Sequence, residues 1–179
     1  MKTIVQIIGA FLLTALLCQA THAASVKNYR NHSLGFEVSY LDNWEQSQGP
    51  GNPAFFIKRK SVEEPGSISI SVANFTGDKD SFMKEIKAHP EKFIEEYRQR
   101  FPGAKMLGSG DTAMGGVPGY FVVASYPLKN PNIVLDIVTW QTFCIKGKRI
   151  YLISFETPLL LFEKTFDEAQ VVLDTFNFR

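Results

Sequence analysis

The chain has 179 residues, 19 Lys plus Arg against 18 Asp plus Glu, a formal net charge of +1 and 45% hydrophobic residues. This length suits one domain with a real core. A near-neutral chain exerts no strong field on nucleic acid or anionic lipid, so neither is an expected partner.

The first residues, MKTIVQIIGAFLLTALLCQATHA, carry one lysine, an apolar run over residues 4–17 and then small residues, the three-part plan of a secretory signal. The run is shorter than the roughly 20 apolar residues of a membrane span, and no later stretch reaches that length. Thr21 and Ala23 fill the small-residue positions before a cut. The expected division is therefore a signal peptide over 1–23 and a single domain over 24–179, located in the bacterial periplasm. Large Leu17 directly before Cys18 argues against lipid anchoring there. Cleavage leaves Cys144 as the remaining cysteine, so no intramolecular disulfide can form and stability must come from packing.

Phe36, Val38 and Tyr40 alternate with Glu37 and Ser39, the period-two signature of a strand with one buried face. Asp42-Asn43 supplies turn chemistry, and Trp44 follows at once. Residues 48–53, QGPGNP, read as a loop and residues 54–58 as a short strand. SISISVANF reads as a strand with Ile68, Ile70 and Val72 on one face, opposite small serines. DKDSFMKEIKAHPEKFIEEYRQRF predicts an amphipathic helix, with Phe82, Ile86, Phe93, Tyr97 and Phe101 at helical spacing. Pro90 lacks an N–H and disfavours helical geometry at His89, so a break is expected there.

Residues 105–113 and 119–126 read as strands joined by a tight Gly115-Gly116 turn. PLKNP, residues 127–131, reads as the next reversal. NIVLDIVTWQTFCI, residues 132–145, has apolar residues on both parities and predicts an interior strand covered on two faces. KGKR then turns the chain into IYLISFE. A final helix is expected near Thr157-Pro158, an N-cap followed by proline at the first helical position, with Phe162, Phe166, Ala169, Leu173 and Phe176 as its inward stripe. Short connections favour antiparallel pairing, and a doubly buried strand requires cover on both sides. The fold class is α+β, an antiparallel β-sheet of about six strands sandwiched between helices.

GFEVSYLDNWE, GGVPGYFVVASY and the ending GKRIYLISFETP followed by a helix and TFNF together resemble the opening, glycine-bearing and closing elements of PsbP-like domains, related to the DcrB type, over residues 29–178. Leu41-Asp42 stands where many members have proline. The resemblance implies an antiparallel sheet between helices. Family members include an extrinsic protein of photosystem II, a bacterial envelope protein and a nuclear import factor that binds a small GTPase, with no shared catalytic site. It therefore transfers architecture and says little about activity.

Few residues stand out as chemistry. Trp44, beside Tyr40 and Phe36, either stacks on a ligand or closes the end of a core, and the burial habits of aromatics favour the core. Trp140 reads as core as well. Asp136 interrupts IVLDIVTW; a carboxylate there meets a cation or hydroxyl, reaches a wet rim, or has a raised pKa at a functional pocket. Leu159-Leu160-Leu161-Phe162 places four large apolar residues in a row, more than one buried helix stripe requires. Leu160 and Phe162 thus join Asp136 and Trp44 as candidate ligand-binding residues.

His32 and His89 lack a second ligand at zinc spacing, and Cys144 lies in an internal strand where a thiol stays protonated. No phosphate-binding glycine loop is present. No catalytic residue, metal or cofactor is assigned. The basic clusters Lys58-Arg59-Lys60 and residues 146–149 read as charged strand ends that discourage edge pairing, and Glu63-Glu64 as a solvated face. The expected function is an exported, non-catalytic accessory or binding protein whose partner is a protein of the cell envelope. Carriage of a small apolar ligand or lipid is the alternative, and an enzyme with a site around Asp136 ranks last.

Overall fold

The computed structural model describes residues 25–130 and 133–179. The expected signal segment over 1–23, its expected cleavage site and Cys18 lie outside the described residues. Ten strands are present among them: β1 Val26–Asn31, β2 Phe36–Leu41, β3 Trp44–Gln46, β4 Phe55–Arg59, β5 Ser67–Asn74, β6 Lys105–Met114, β7 Val117–Asn130, β8 Ile133–Lys146, β9 Arg149–Pro158 and β10 Asn177–Phe178. The helices are α1 Lys79–Ala88, α2 Lys92–Arg100 and α3 Phe162–Thr175. A seven-stranded sheet runs β3-β4-β5-β9-β8-β7-β6, and a three-stranded sheet runs β1-β2-β10. The pairings within both are antiparallel. The architecture is α+β as expected, with more strands than the sequence pattern shows. Trp44–Gln46 and Asn177–Phe178 are too short to display an alternation, yet each pairs with a neighbour.

The large sheet is covered on both faces. On one, Ile68, Ile70, Ile153 and Phe155 pack with Phe36 and Val38 of β2 and with Ala169 and Val172 of α3. On the other, Ile86 of α1 and Ile94 of α2 cover Tyr120, Val122 and Phe143. Consecutive residues Phe143 and Cys144 are buried on opposite faces of β8, which confirms the two-sided interior strand. At roughly 1.5–3 kcal/mol per fully buried large side chain, such an interior can hold a domain that has no disulfide.

The helical segment breaks where the proline requires it. Asp78 caps α1 by accepting the Ser81 amide at 2.8 Å, and His89, at φ −137°, ends it. Gly115 and Gly116, at φ 55° and 75°, form the hairpin turn between β6 and β7, the paired positive φ values that suit a two-residue turn.

Three local readings change. Residues 127–130 do not reverse the chain: they continue β7, paired to β8 as far as Asn130 opposite Ile133. Thr157 is not an N-cap. β8 is long enough to keep pairing through Ile137 opposite Pro158, so β9 continues to that proline, Thr157 Oγ1 donates to the Pro65 carbonyl at 3.0 Å, and a 3-10 turn at Leu159–Leu161 precedes α3. Finally, Arg59 is no solvated strand end; its side chain is only 7% exposed and pairs with Glu64 at 3.0 Å and Glu168 at 3.2 Å. Glu64 also meets Lys164, so it is part of an ion-pair network.

Candidate functional site

The alternation of β5 divides its residues by size. Ile68 and Ile70 enter the core shared with α3, while Ser67, Ser69, Ser71 and Ala73 face the other way, opposite Glu156, Ser154, Leu152 and Ile150 of β9. The helical pair packs over β7 and β8 on that same side. Small residues on β5 cannot fill the space beside the helices. An open groove of about 950 Å³ results, at the upper end of the roughly 300–1,000 Å³ typical of small-molecule sites.

Ser71, Ala73, Ile150, Leu152 and Phe143 form its floor, and Phe82, Ile86, Phe93, Tyr97 and Phe101 form the helical wall. Pro50, from the loop between β3 and β4, lines the groove as well. The aromatics set at helical spacing therefore do face the sheet, but Phe82, Phe93, Tyr97 and Phe101 remain only partly buried.

Polar groups gather around Glu156. Tyr126 Oη donates to Glu156 Oε1 at 3.4 Å, and Gln141 Nε2 donates to Tyr97 Oη at 2.8 Å. The Phe101 ring stacks on Tyr126 at 4.5 Å, and the Tyr97 ring lies 5.4 Å from it. Burial holds the Glu156 carboxyl above the usual carboxylate range, against the smaller opposing pull of the Tyr126 hydroxyl and the Arg100 charge. Burial, and next the negative charge of Glu156, raises the Tyr126 hydroxyl in turn. Lys92 and Glu85 pair with each other at the exposed rim. The groove thus offers a guest apolar contact along most of its wall and an acceptor-bearing polar cluster at Glu156.

The four residues that stand out in the sequence lie elsewhere. Trp44 is fully buried, edge-on to Phe155 at 6.5 Å, and its indole nitrogen donates to Glu168 Oε2 at 3.0 Å. Phe162 also packs on Phe155, at 6.0 Å, and lies parallel to Trp140 at 6.4 Å. Trp140 is partly buried in an aromatic stack between Phe121 and Phe166, at 4.8 and 4.6 Å. Leu160 projects outward, 92% exposed. Asp136 is exposed, on the part of β8 opposite Pro127. Trp44 and Phe162 both pack on Phe155 on the α3 side of the sheet, and Asp136 is not a buried carboxylate in an apolar layer. Cys144 is fully buried, its thiol pushed up to about 12 by burial.

Glu156, Tyr126, Gln141 and Ser71 do not stand out in the sequence. A signal for Glu156 is present in IYLISFETP, where it shares parity with Ile150 and Leu152. No helix among the described residues is long and apolar enough to cross a membrane.

No protein-family model matches the sequence, and no curated protein matches it. Solved structures match in fold. The solution structure of cyanobacterial PsbP (CyanoP) from Synechocystis sp. PCC 6803 superposes with a TM-score of 0.58 at 13% identity, covering 90% of this chain and 97% of that one. LpqN, involved in cell envelope biogenesis of Mycobacterium tuberculosis, gives 0.54 at 13% identity over 87% of this chain and 91% of its own. The Saccharomyces cerevisiae Ran-binding protein Mog1p gives 0.58 at 10% identity over 87% and 96%. The antiparallel sheets and flanking helices described above share the fold of these PsbP-like structures.

Proposed function

We propose that the protein is a non-catalytic binding protein of the bacterial cell envelope, exported by the leader over 1–23 as a single domain over 24–179, and that its groove holds a small amphipathic ligand. The observation that carries this reading is the groove itself. It is apolar over most of its wall, of small-molecule size, and has a few convergent polar groups around Glu156. The fold likeness to an envelope-biogenesis protein supports the location and, at 13% identity, adds nothing about the ligand.

Native mass spectrometry of the protein purified from envelope fractions tests the reading. A co-purifying mass is expected on the wild type and its loss on Ser71→Phe, which places a ring over the groove floor. An empty wild type that also takes up no amphiphile on titration overturns the proposal.

A protein partner in the envelope has one supporting observation of its own. Leu159 and Leu160, 45% and 92% exposed on the turn before α3, form an apolar protrusion. Under that second reading Leu160→Asp abolishes recovery of a partner by crosslinking in envelope extracts, while Ser71→Phe leaves it intact.

A further inference from the structure

We infer that the groove selects a single-chain amphiphile with an ammonium head, its alkyl chain along the floor and its head at Glu156. The inference deepens the ligand reading above and depends on it.

The head-group chemistry follows from what Glu156 has and lacks. Its carboxyl is half-buried at the groove wall, and its hydrogen bond from Tyr126 is long at 3.4 Å, beyond the usual range for hydroxyl donors. Among the described residues no cation lies within ion-pairing distance of it; Arg100 acts on it only from further away and is itself exposed. A sequestered carboxylate without a counter-ion carries a desolvation cost that an incoming cation offsets.

The surroundings favour the same guest. Tyr97, Tyr126 and Phe101 place three aromatic rings together beside this carboxyl; the Arg100 guanidinium already lies 5.3 Å from the Phe101 centroid, the kind of cation–ring contact that an ammonium guest would make with the neighbouring rings. A hydroxyl head would gain a hydrogen bond at Glu156 but no charge pairing. A carboxylate head would meet repulsion from Glu156, countered by solvent-screened Arg100 and by Lys92, which is already paired with Glu85 at the rim. The remaining lining, Phe82, Phe93, Ile150 and Leu152 over the small floor of Ser71 and Ala73, suits an alkyl chain.

Calorimetric titration with decylamine, decanol and decanoate, each below its micelle concentration, separates the parts of this claim. Decylamine should bind about tenfold or more tighter than decanol, a difference of about 1.4 kcal/mol, with decanoate weakest. Glu156→Gln, nearly isosteric and still able to accept a hydrogen bond, should remove the preference for the amine by weakening decylamine far more than decanol, which loses only the charge-assisted part of its hydrogen bond, and Glu156→Asp should weaken the preference partially. Ser71→Phe should weaken all three, with far-UV circular dichroism verifying that each variant is folded. A preference for the amine that survives in Glu156→Gln, or tightest binding of decanoate, overturns the head-group assignment while leaving the groove in place. No binding of any decyl probe to the wild type overturns the groove reading itself.

Discussion

Trp44 donates its indole N–H to Oε2 of Glu168 at 3.0 Å, joining the first residue of β3 to α3 across 124 positions of chain. The same carboxylate accepts Asn43 Nδ2 at 2.8 Å and Arg59 Nη2 at 3.2 Å. One glutamate thus fixes the turn, the edge strand and the helix to each other. Glu168→Ala removes these acceptors and leaves Arg59 with Glu64 as its ion-pair partner. Losing one of the two carboxylates around a largely buried guanidinium, together with the acceptor for Asn43 and Trp44, costs about 1–3 kcal/mol. Urea unfolding followed by tryptophan fluorescence should show that loss, and a smaller one when Arg59→Met is already present. Equal losses in both backgrounds would mean that the pair is not coupled.

Gly119 sits in the β7 stretch GGVPGYFVVASY, one of the segments that carry the family resemblance. A Cβ there would lie 2.4 Å from the Phe143 carbonyl oxygen and 3.2 Å from Cys144 Cβ, on the neighbouring β8. Backbone cannot give way as a flexible side chain can, so Gly119→Ala should cost about 1–3 kcal/mol. A Cβ added at Gly108 on β6 would meet nothing within 4 Å, and this glycine has no positive φ. Gly108→Ala is the matched control and should be near neutral in the same denaturation assay.

What the sequence reveals depends on whether a feature is periodic along one strand or assembled from several. Ile68 and Ile70 alternate with serines, and the buried side is correct from that alternation alone. The serine side carries no comparable signal, because nothing local tells that the helical pair settles over β7 and β8 and leaves β5 beside an open groove. Asp136 stands out by interrupting an apolar run. How far that run projects beyond its cover depends on helices distant in sequence, and Asp136 lies where it is exposed. Glu156 is inconspicuous for the converse reason: one acidic residue near the end of an amphipathic strand is ordinary until Tyr126, two strands away, is placed against it. Thr157-Pro158 carries a genuine helix-start pattern, which continued pairing with β8 overrides.

Cys144 has no exposed surface, and burial pushes its thiol up to about 12. Reaction with a thiol reagent requires both access and thiolate. The 24–179 chain, which lacks Cys18, should therefore show no fast-reacting thiol at neutral pH, and a full equivalent after denaturation. If labelling in the native state is rapid, β8 opens locally far more readily than its place between β7 and β9 implies.

Glu156 should oppose folding at neutral pH, whereas Glu37, Glu64, Glu85 and Asp78 support it. Those four are held below the ordinary carboxylate range, mainly by hydrogen bonds from Arg179, Lys164, Lys92 and the Ser81 amide respectively. Their contributions fade as pH falls. Glu156 is raised by burial, so the folded chain binds its proton more tightly than the unfolded chain. Stability from this group is complete below the ordinary carboxylate pKa, where both states are protonated, and declines as pH rises through the raised folded value. Glu156→Gln stays neutral throughout and escapes that decline. Its Tm should exceed the wild type's at neutral pH, and the gap should narrow steadily on acidification even as both proteins lose the other four contributions. A gap that is constant with pH would assign the difference to packing, and a gap of opposite sign would mean that Glu156 already has a cation partner in the folded protein.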